Sequence, residues 1–531
     1  MLKINQKPDG SYIESNSCIS FDLHLHISLK ALLCNYYKKD SITDKDGKLI
    51  DFSQNIDLLA DPEQLDKIIT SQSNLTQLQS GNVKFVCASL IALEKGFTST
   101  TMRLFAIFSD LNENLLKEIR TEKTSYFQLL QLEILLYNYQ KNINFISENN
   151  FEINKNKLNV IFNIEGAHSL CSDYNKPETI IDNLKIIKKI SHPFRVLYLT
   201  PIHLTEFPTC SLAYGMKLSD IIKFDPFNKS EFKPHCSGFT KLGYELIDTA
   251  YSDSKTEYPV LIDIRHMSLS SRLDFYNYRK HNNYKLPIIA SHVGITGYAL
   301  HIDIFDYKTY SNSSLKTKCR MSRGLSSSHR LIHLKPSTYK PQNKNYEVSF
   351  NPSTINIYDE EIIEIMLSDG MIGISLDQRI LGIDTEFHEF MYNQDIELFQ
   401  IPDKKKSDNS TNTINKNCAT LHTQTFLGTL HYILECVEKN KEKFIDILAK
   451  KNLTIHEFAK TKICLGSDFD GLIDVIDTIK NASEMPQLRE ILSEEFDEEF
   501  ADQFLWKNGF NFTKEHLNRI SSETKINKLV V

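Results

Sequence analysis

Short apolar runs recur along the chain, separated by longer amphipathic stretches. The runs are "CISFDLHLHI" from Cys18, "NVKFVCASL" from Asn82, "LNVIFNIEG" from Leu158, "FRVLYLT" from Phe194, "PVLIDIRH" from Pro259, "LPIIASH" from Leu286, "GMIGISL" from Gly370 and "KICLGSDFD" from Lys462. They are rich in Val, Ile and Leu on both faces, as strands covered on both sides should be. Between them lie helix-period patterns such as "SYFQLLQLEILLYNYQ", "PETIIDNLKIIKKI", "GFTKLGYELIDTAYS" and "TFLGTLHYILECVEKN". Strand and helix alternate about eight times. This predicts an α/β fold, a (β/α)8 TIM-type barrel, with a doubly wound open sheet as the structural alternative.

Such a barrel takes about 250 residues, and the chain has 531. The excess predicts long insertions, at about 303–349 and 384–418, in a barrel spanning 1–480. The stretch "IPDKKKSDNSTNTINKN" from Ile401 is polar and low in complexity, and is expected to be a flexible surface loop. Residues 481–531 are expected to be a charged helical extension of the same domain, carrying the only tryptophan, Trp506. Its "EEFDEEFAD" run from Glu494 reads as a solvated helix face.

Polar residues mark the carboxyl ends of the apolar runs, where barrel enzymes build their sites. In "FDLHLHIS", Asp22, His24 and His26 alternate and so share one face of the first strand. Glu165 ends the third run, His203 follows the fourth, His266 ends the fifth, His292 the sixth and Asp468 the eighth. Imidazole suits Zn, Fe or Ni, and a carboxylate can bridge two ions. Two ions about 3.5–4 Å apart can share and deprotonate a water for attack on a carbonyl or phosphoryl group. A neighbouring carboxylate can carry the proton to the leaving group. His168, His192, His235 and His431 are read instead as ordinary core or surface histidines.

The formal net charge is -7, with no basic stripe, so nucleic acid is not expected as a partner. No apolar run approaches a membrane span, and "MLKINQKPDG" lacks the apolar core of a secretory signal. Ten scattered cysteines without a C-x-x-C pair point to reduced thiols and a cytoplasmic protein, with Cys18 and Cys464 as small core residues.

At this point the chain resembles the membrane (renal) dipeptidase family of metallopeptidases, barrel enzymes within the wider amidohydrolase-like group. "FDLHLH" resembles the family's D-G-H-N-D, and "NLTQLQSGNV" its L-x-x-L-x-x-G-x-V element. "NIEGAHSL", "RVLYLTPIH", "GFTKLGYELI", "LIDIRH" and "PIIASH" resemble later motifs in the same order, and "LGSDFDG" is similar to G-s-D-F-D-G. The resemblance implies two divalent metal ions, zinc foremost. His24 and His26 would hold one, Glu165 would bridge, and His266 with His292 would hold the other. It further implies that His203 contacts the substrate carbonyl or the tetrahedral intermediate. Asp468 would bind the substrate amine or handle the proton.

This chain departs from the family pattern in four places, one being that the family's Asn after L-T-H has no clear counterpart in "LTEFP". His26 stands where the family has Asp, giving an H-x-H signature and about one unit more positive charge in the site. Arg265 stands in place of a small residue. Ile355 lies where the family carries an arginine for the substrate carboxylate. The expected activity is zinc-dependent hydrolysis of a peptide-like amide through a metal-bridging hydroxide, on a small peptide-like substrate. The alternatives are a hydrolase of a cyclic amide, lactone or phosphoester, and a non-catalytic barrel that binds a partner. The oligomeric state is open, a homodimer being one option.

Overall fold

A computed structural model describes residues 4–6, 12–14, 19–38, 41–56, 70–98, 112–148, 151, 153–215, 230–254, 256–300, 329–383, 387–399 and 418–529. Eight parallel strands follow one another around the core in chain order. They are β1 (Ser20–Leu25), β2 (Val83–Leu90), β3 (Leu158–Ile164), β4 (Val196–Leu199), β5 (Leu261–Asp263), β6 (Ile288–Val293), β7 (Met371–Ile374) and β8 (Ile463–Leu465). The eighth returns to the first. Asp468 N donates to His24 O at 2.9 Å, and His26 N donates to Phe469 O at 2.8 Å. The sheet therefore closes as the sequence pattern predicts, and the open-sheet alternative falls. Every residue of β1 and β3 is buried, which accounts for their near-continuous apolar sequence.

The helix-period stretches form α1 (Tyr126–Tyr139), α2 (Thr179–Ile187), α3 (Lys241–Tyr251), α4 (Leu269–His281), α5 (Asp359–Leu367) and α6 (Cys418–Lys439). Ser125 caps α1 in a reciprocal box with Gln128. The C-terminal segment forms α7 (Met485–Glu495) and α8 (Asn508–Leu529). Leu488, Leu492, Phe504, Leu505 and Leu517 there are buried. Gly509 of α8 lies so close to the Phe21 ring of β1 that a Cβ would come within 2.1 Å of it. This segment thus covers the outside of β1. In its acidic run Glu494, Asp497, Glu498 and Glu499 are exposed, whereas Asp502 pairs with Arg489 Nη1 at 2.7 Å, and Glu495 accepts from Lys344 Nζ at 2.9 Å and from Tyr346 Oη at 2.9 Å and meets His431 Nε2 at 2.6 Å.

The two insertions meet. His329–Leu334 of the first pairs antiparallel with Phe387–Tyr392 of the second, over a small cluster of Ile332, Met391 and Ile396. The stretch 401–417 expected to be a surface loop lies outside the described residues, as does Cys18. Cys464 is fully buried, and Cys87, Cys171, Cys210 and Cys436 are likewise free thiols. Cys236 departs from the expectation of reduced thiols, being disulfide-bonded. No helix among the described residues is long and apolar enough to cross a membrane.

The barrel interior tolerates no side chain at two positions. A Cβ on Gly373 of β7, or on Gly466 just after β8, would come within 1.9 Å of the Ser291 carbonyl oxygen. Gly373→Ala should therefore destabilise the protein by at least the ~1–3 kcal/mol typical of overpacking. Chemical denaturation measures this directly, and an unchanged midpoint would mean that β6 and β7 can part at no cost.

Candidate metal centre

All seven residues marked out by the sequence converge at the carboxyl mouth of the barrel. Glu165, immediately after β3, sits at the centre. Its Oε2 lies 3.0 Å from His26 Nε2, and its Oε1 3.0 Å from His266 Nε2. The same Oε1 is 3.5 Å from His24 Nε2, 3.5 Å from His292 Nε2 and 3.6 Å from His203 Nε2. Asp468 Oδ1 lies 3.5 Å from His26 Nε2 and 3.7 Å from His24 Nε2. These donors fall into three overlapping groups, each with its ligand atoms within 4.8 Å of one another: His24, Glu165 and His292; His24, His26 and Asp468; Glu165, His203 and His266. Asp468 and His203, expected at the substrate, thus also lie within reach of a cation.

Hydrogen bonds fix which ring nitrogen faces inward. Tyr198 Oη donates to Leu23 O at 2.9 Å, so its oxygen accepts from His24 Nδ1, also at 2.9 Å. In the neutral imidazole the lone pair is then on His24 Nε2, an atom that is buried and without a hydrogen-bond partner. His292 repeats the arrangement. Ser291 Oγ donates to Asp263 Oδ2 at 2.5 Å and accepts from His292 Nδ1 at 2.7 Å. In the neutral rings two lone pairs, on His24 and His292, thereby face the Glu165 carboxylate from 3.5 Å. Acceptors that crowd together in a buried site call for a cation between them, and outer partners on Nδ1 are what metal-binding histidines carry. The residues fit divalent metal.

The backbone is bent to this purpose. His266 has φ 66° and Asp468 φ 64°, the left-handed region that non-glycine residues seldom adopt. Burial opposes charge at His26, but Glu165 and Asp468 outweigh it and raise its pKa to about 10. Burial pulls His266 down, reinforced by the charge of His203, to about 3. Burial would raise Glu165, yet His24, His203 and His26 hold it well below the carboxylate range.

Asp22 shares the strand face of His24 and His26 but stays out of the cluster. Its Oδ1 accepts from Ser467 N at 3.0 Å and from His24 N at 3.1 Å, one layer deeper, and so ties β1 to β8. In "SDFDG" only the first aspartate faces the centre. Asp470 accepts from Gln72 N and Ser73 N at 2.8 Å each and pairs with Lys30 Nζ at 2.8 Å. His168, His192, His235 and His431 lie outside the donor groups. His168 is a satisfied core residue, its Nε2 2.8 Å from Ala92 O.

Four residues of the site escape sequence reasoning. Glu94, four residues beyond β2, is buried and lies 2.6 Å from His203 Nδ1. Burial would raise its pKa, but His203 and His168 bring it down to about 2. The others are Tyr198, Ser291 and Asp263. An acidic residue inside the apolar run "VLIDI" was the available signal for Asp263, since a buried carboxylate must have partners.

No family model matches the chain. No curated protein matches it. Among solved structures it is similar to a metallopeptidase from Rhodobacter sphaeroides liganded with a phosphinate mimic of the dipeptide L-Ala-D-Ala. That likeness has 12% identity and a TM-score of 0.48, and covers 94% of this chain and 99% of that one. The probable dipeptidase PvdM from Pseudomonas aeruginosa gives 13% identity and a TM-score of 0.44 over 94% and 96%. The dipeptidase AC, a metallopeptidase, gives 11% and 0.42 over 94% and 98%. Likenesses this distant carry no weight for function, which rests on the side chains themselves.

Proposed function

We propose that the chain is a metal-dependent hydrolase of a peptide-like amide, holding two divalent ions, zinc the favoured one. The observation that carries the reading is the pair of histidines whose outer nitrogens are committed to Tyr198 and Ser291, so that His24 and His292 aim their Nε2 atoms, the lone-pair nitrogens of the neutral rings, at one buried carboxylate. His24, His26, Glu165, His266 and His292 are the proposed ligands. Bound divalent ions there supply Lewis acidity and a water acidic enough to ionise near neutral pH.

The chain's own residues do the rest. His203 is held by Glu94 through Nδ1, which keeps Nε2 facing Glu165 and the centre. That imidazole is placed to steady the carbonyl oxygen as it gains charge. Asp468, on the opposite side against His24 and His26, is placed to take the proton of the attacking water and return it to the leaving amine. Burial raises its pKa, which suits a carboxylate that must both accept and release a proton.

The first test is metal binding with proton release. Without metal, His26 holds its proton up to about pH 10. A ligand must be deprotonated to bind, so zinc and proton compete, and zinc affinity should rise with pH throughout the neutral range. Calorimetric zinc titration in buffers of different ionisation enthalpy should give two ions and release of at least about one proton at pH 7, from His26, with more where the bound water ionises. The loaded protein, screened on dipeptides, lactones and phosphoesters, should favour the amides. Zinc content that stays at trace level after loading would end this reading.

A further inference from the structure

Arg265 immediately precedes His266 and is 3% exposed. Among the described residues its guanidinium makes one hydrogen bond, from Nη1 to Ile355 O at 2.9 Å, and its buried Nε has no partner. No carboxylate there forms an ion pair with it. The carboxylates whose charge reaches it are, in order, Asp468, Asp263, Glu165 and Asp377. Asp263 is committed to Ser291, and Asp377 to Arg379 at 2.6 Å. Asp468 and Glu165 belong to the centre itself.

Other buried cations in this chain show the contrast. Arg195 meets Glu148, and Arg272 binds Glu361 through Nε at 2.6 Å and Nη2 at 3.0 Å. Burying a guanidinium without an anion is expensive, and proteins seldom do so for packing alone. The carbonyl that orients Arg265 is itself fixed. Arg272 grips the flanking carbonyls, with Nη1 2.6 Å from Thr354 O and Nη2 3.2 Å from Asn356 O. Glu389 accepts from Thr354 N at 2.8 Å. The fork is thus held in place, with Nη2 left to donate and Nε buried without a partner among the described residues.

We infer that Arg265 is the anion anchor of the site: the substrate carries a carboxylate close to the scissile amide, and the guanidinium receives it beside His266. The inference rests on the amide-hydrolase reading above and narrows its substrates to those with a free carboxylate. Arg265 does not take part in bond breaking; it sets specificity. Its donors form a planar fork that suits two carboxylate oxygens, whereas a neutral carboxamide offers one oxygen and no charge.

The test uses the full chain loaded with zinc and two probes that cannot be hydrolysed. One is a reduced-bond isostere of alanylalanine ending in a carboxylate, the other the same isostere ending in a carboxamide. By calorimetry the unaltered protein should bind the carboxylate about thirtyfold more tightly or better, as expected for a buried charge pair. Arg265→Met should reduce that preference to within about threefold, and Arg265→Lys should keep an intermediate part of it. Zinc content should stay at the unaltered level in both variants. The melting temperature of zinc-loaded Arg265→Met should be equal or higher, because an unpaired buried charge has been removed. A carboxylate preference that survives in Arg265→Met, or an unaltered protein that prefers neither probe, overturns the assignment. So does a variant that loses its preference only by unfolding, if Arg265→Lys folds and shows none. Zinc content on the same samples keeps the two readings apart: loss of the anchor with full zinc leaves the centre standing.

Discussion

Asp468→Asn is expected to lower kcat by about 10²–10⁴-fold, the usual value of general acid–base help. The fold should survive, because asparagine tolerates the φ of 64° that Asp468 adopts better than almost any other residue. The amide keeps an oxygen for the neighbouring histidines but can no longer take up a proton. Because Asp468 Oδ1 lies 3.5 Å from His26 Nε2 and 3.7 Å from His24 Nε2, some zinc should be lost as well. That loss should be smaller than in His266→Ala, which removes a ligand nitrogen outright. Single-turnover rates at saturating zinc separate the two effects. A variant with full zinc and full kcat would assign the proton transfer elsewhere.

Glu165→Gln should be more damaging to the centre. This carboxylate lies within 3.6 Å of five histidines, His24, His26, His203, His266 and His292. Removing its charge takes the shared anion from both proposed ions at once. Losing a partner that merely orients a ligand costs about 10–100-fold in affinity; losing this ligand should cost at least about 100-fold and leave the purified protein with less than half its zinc. Competition against a chromophoric chelator measures it. Retention of two tightly held ions in Glu165→Gln would show that the histidines suffice and that the carboxylate is not the bridge.

Much of this was legible in the sequence, for reasons that can be named. All eight barrel strands announce themselves because parallel strands under helices are apolar on both faces, so "IFNI" and "MIGI" stand out from their surroundings. The donors are visible because each is a polar residue at the end of such a run, and His24 and His26 share a face through simple alternation. What stayed hidden depends on packing between elements distant in the chain. Nothing in "IALEKGF" tells that Glu94 will meet His203 across 109 positions. Tyr198 reads as one more apolar strand residue until its hydroxyl is seen against His24. The pairing of His329–Leu334 with Phe387–Tyr392 was equally invisible, since strands in polar insertions lack the apolar signature. Arg265 stands out in the sequence, but only the structure shows that no acid among the described residues pairs with its guanidinium.

The seam between the first and eighth strands bears on how the protein comes to be folded at all. Ser467 N reaches back to Asp22 across 445 positions. A ribosome must therefore release nearly the whole chain before the barrel can shut. Contacts of such long range slow folding, since the entropy of closing the ring precedes any reward for it. Until then His24 and His26 lie on an open, unpaired strand edge, exposed to wrong partners and to adventitious zinc. Captured early by a stray ion, this nascent segment would be delayed, and a holding chaperone that sheltered the first strand would raise the yield of finished protein.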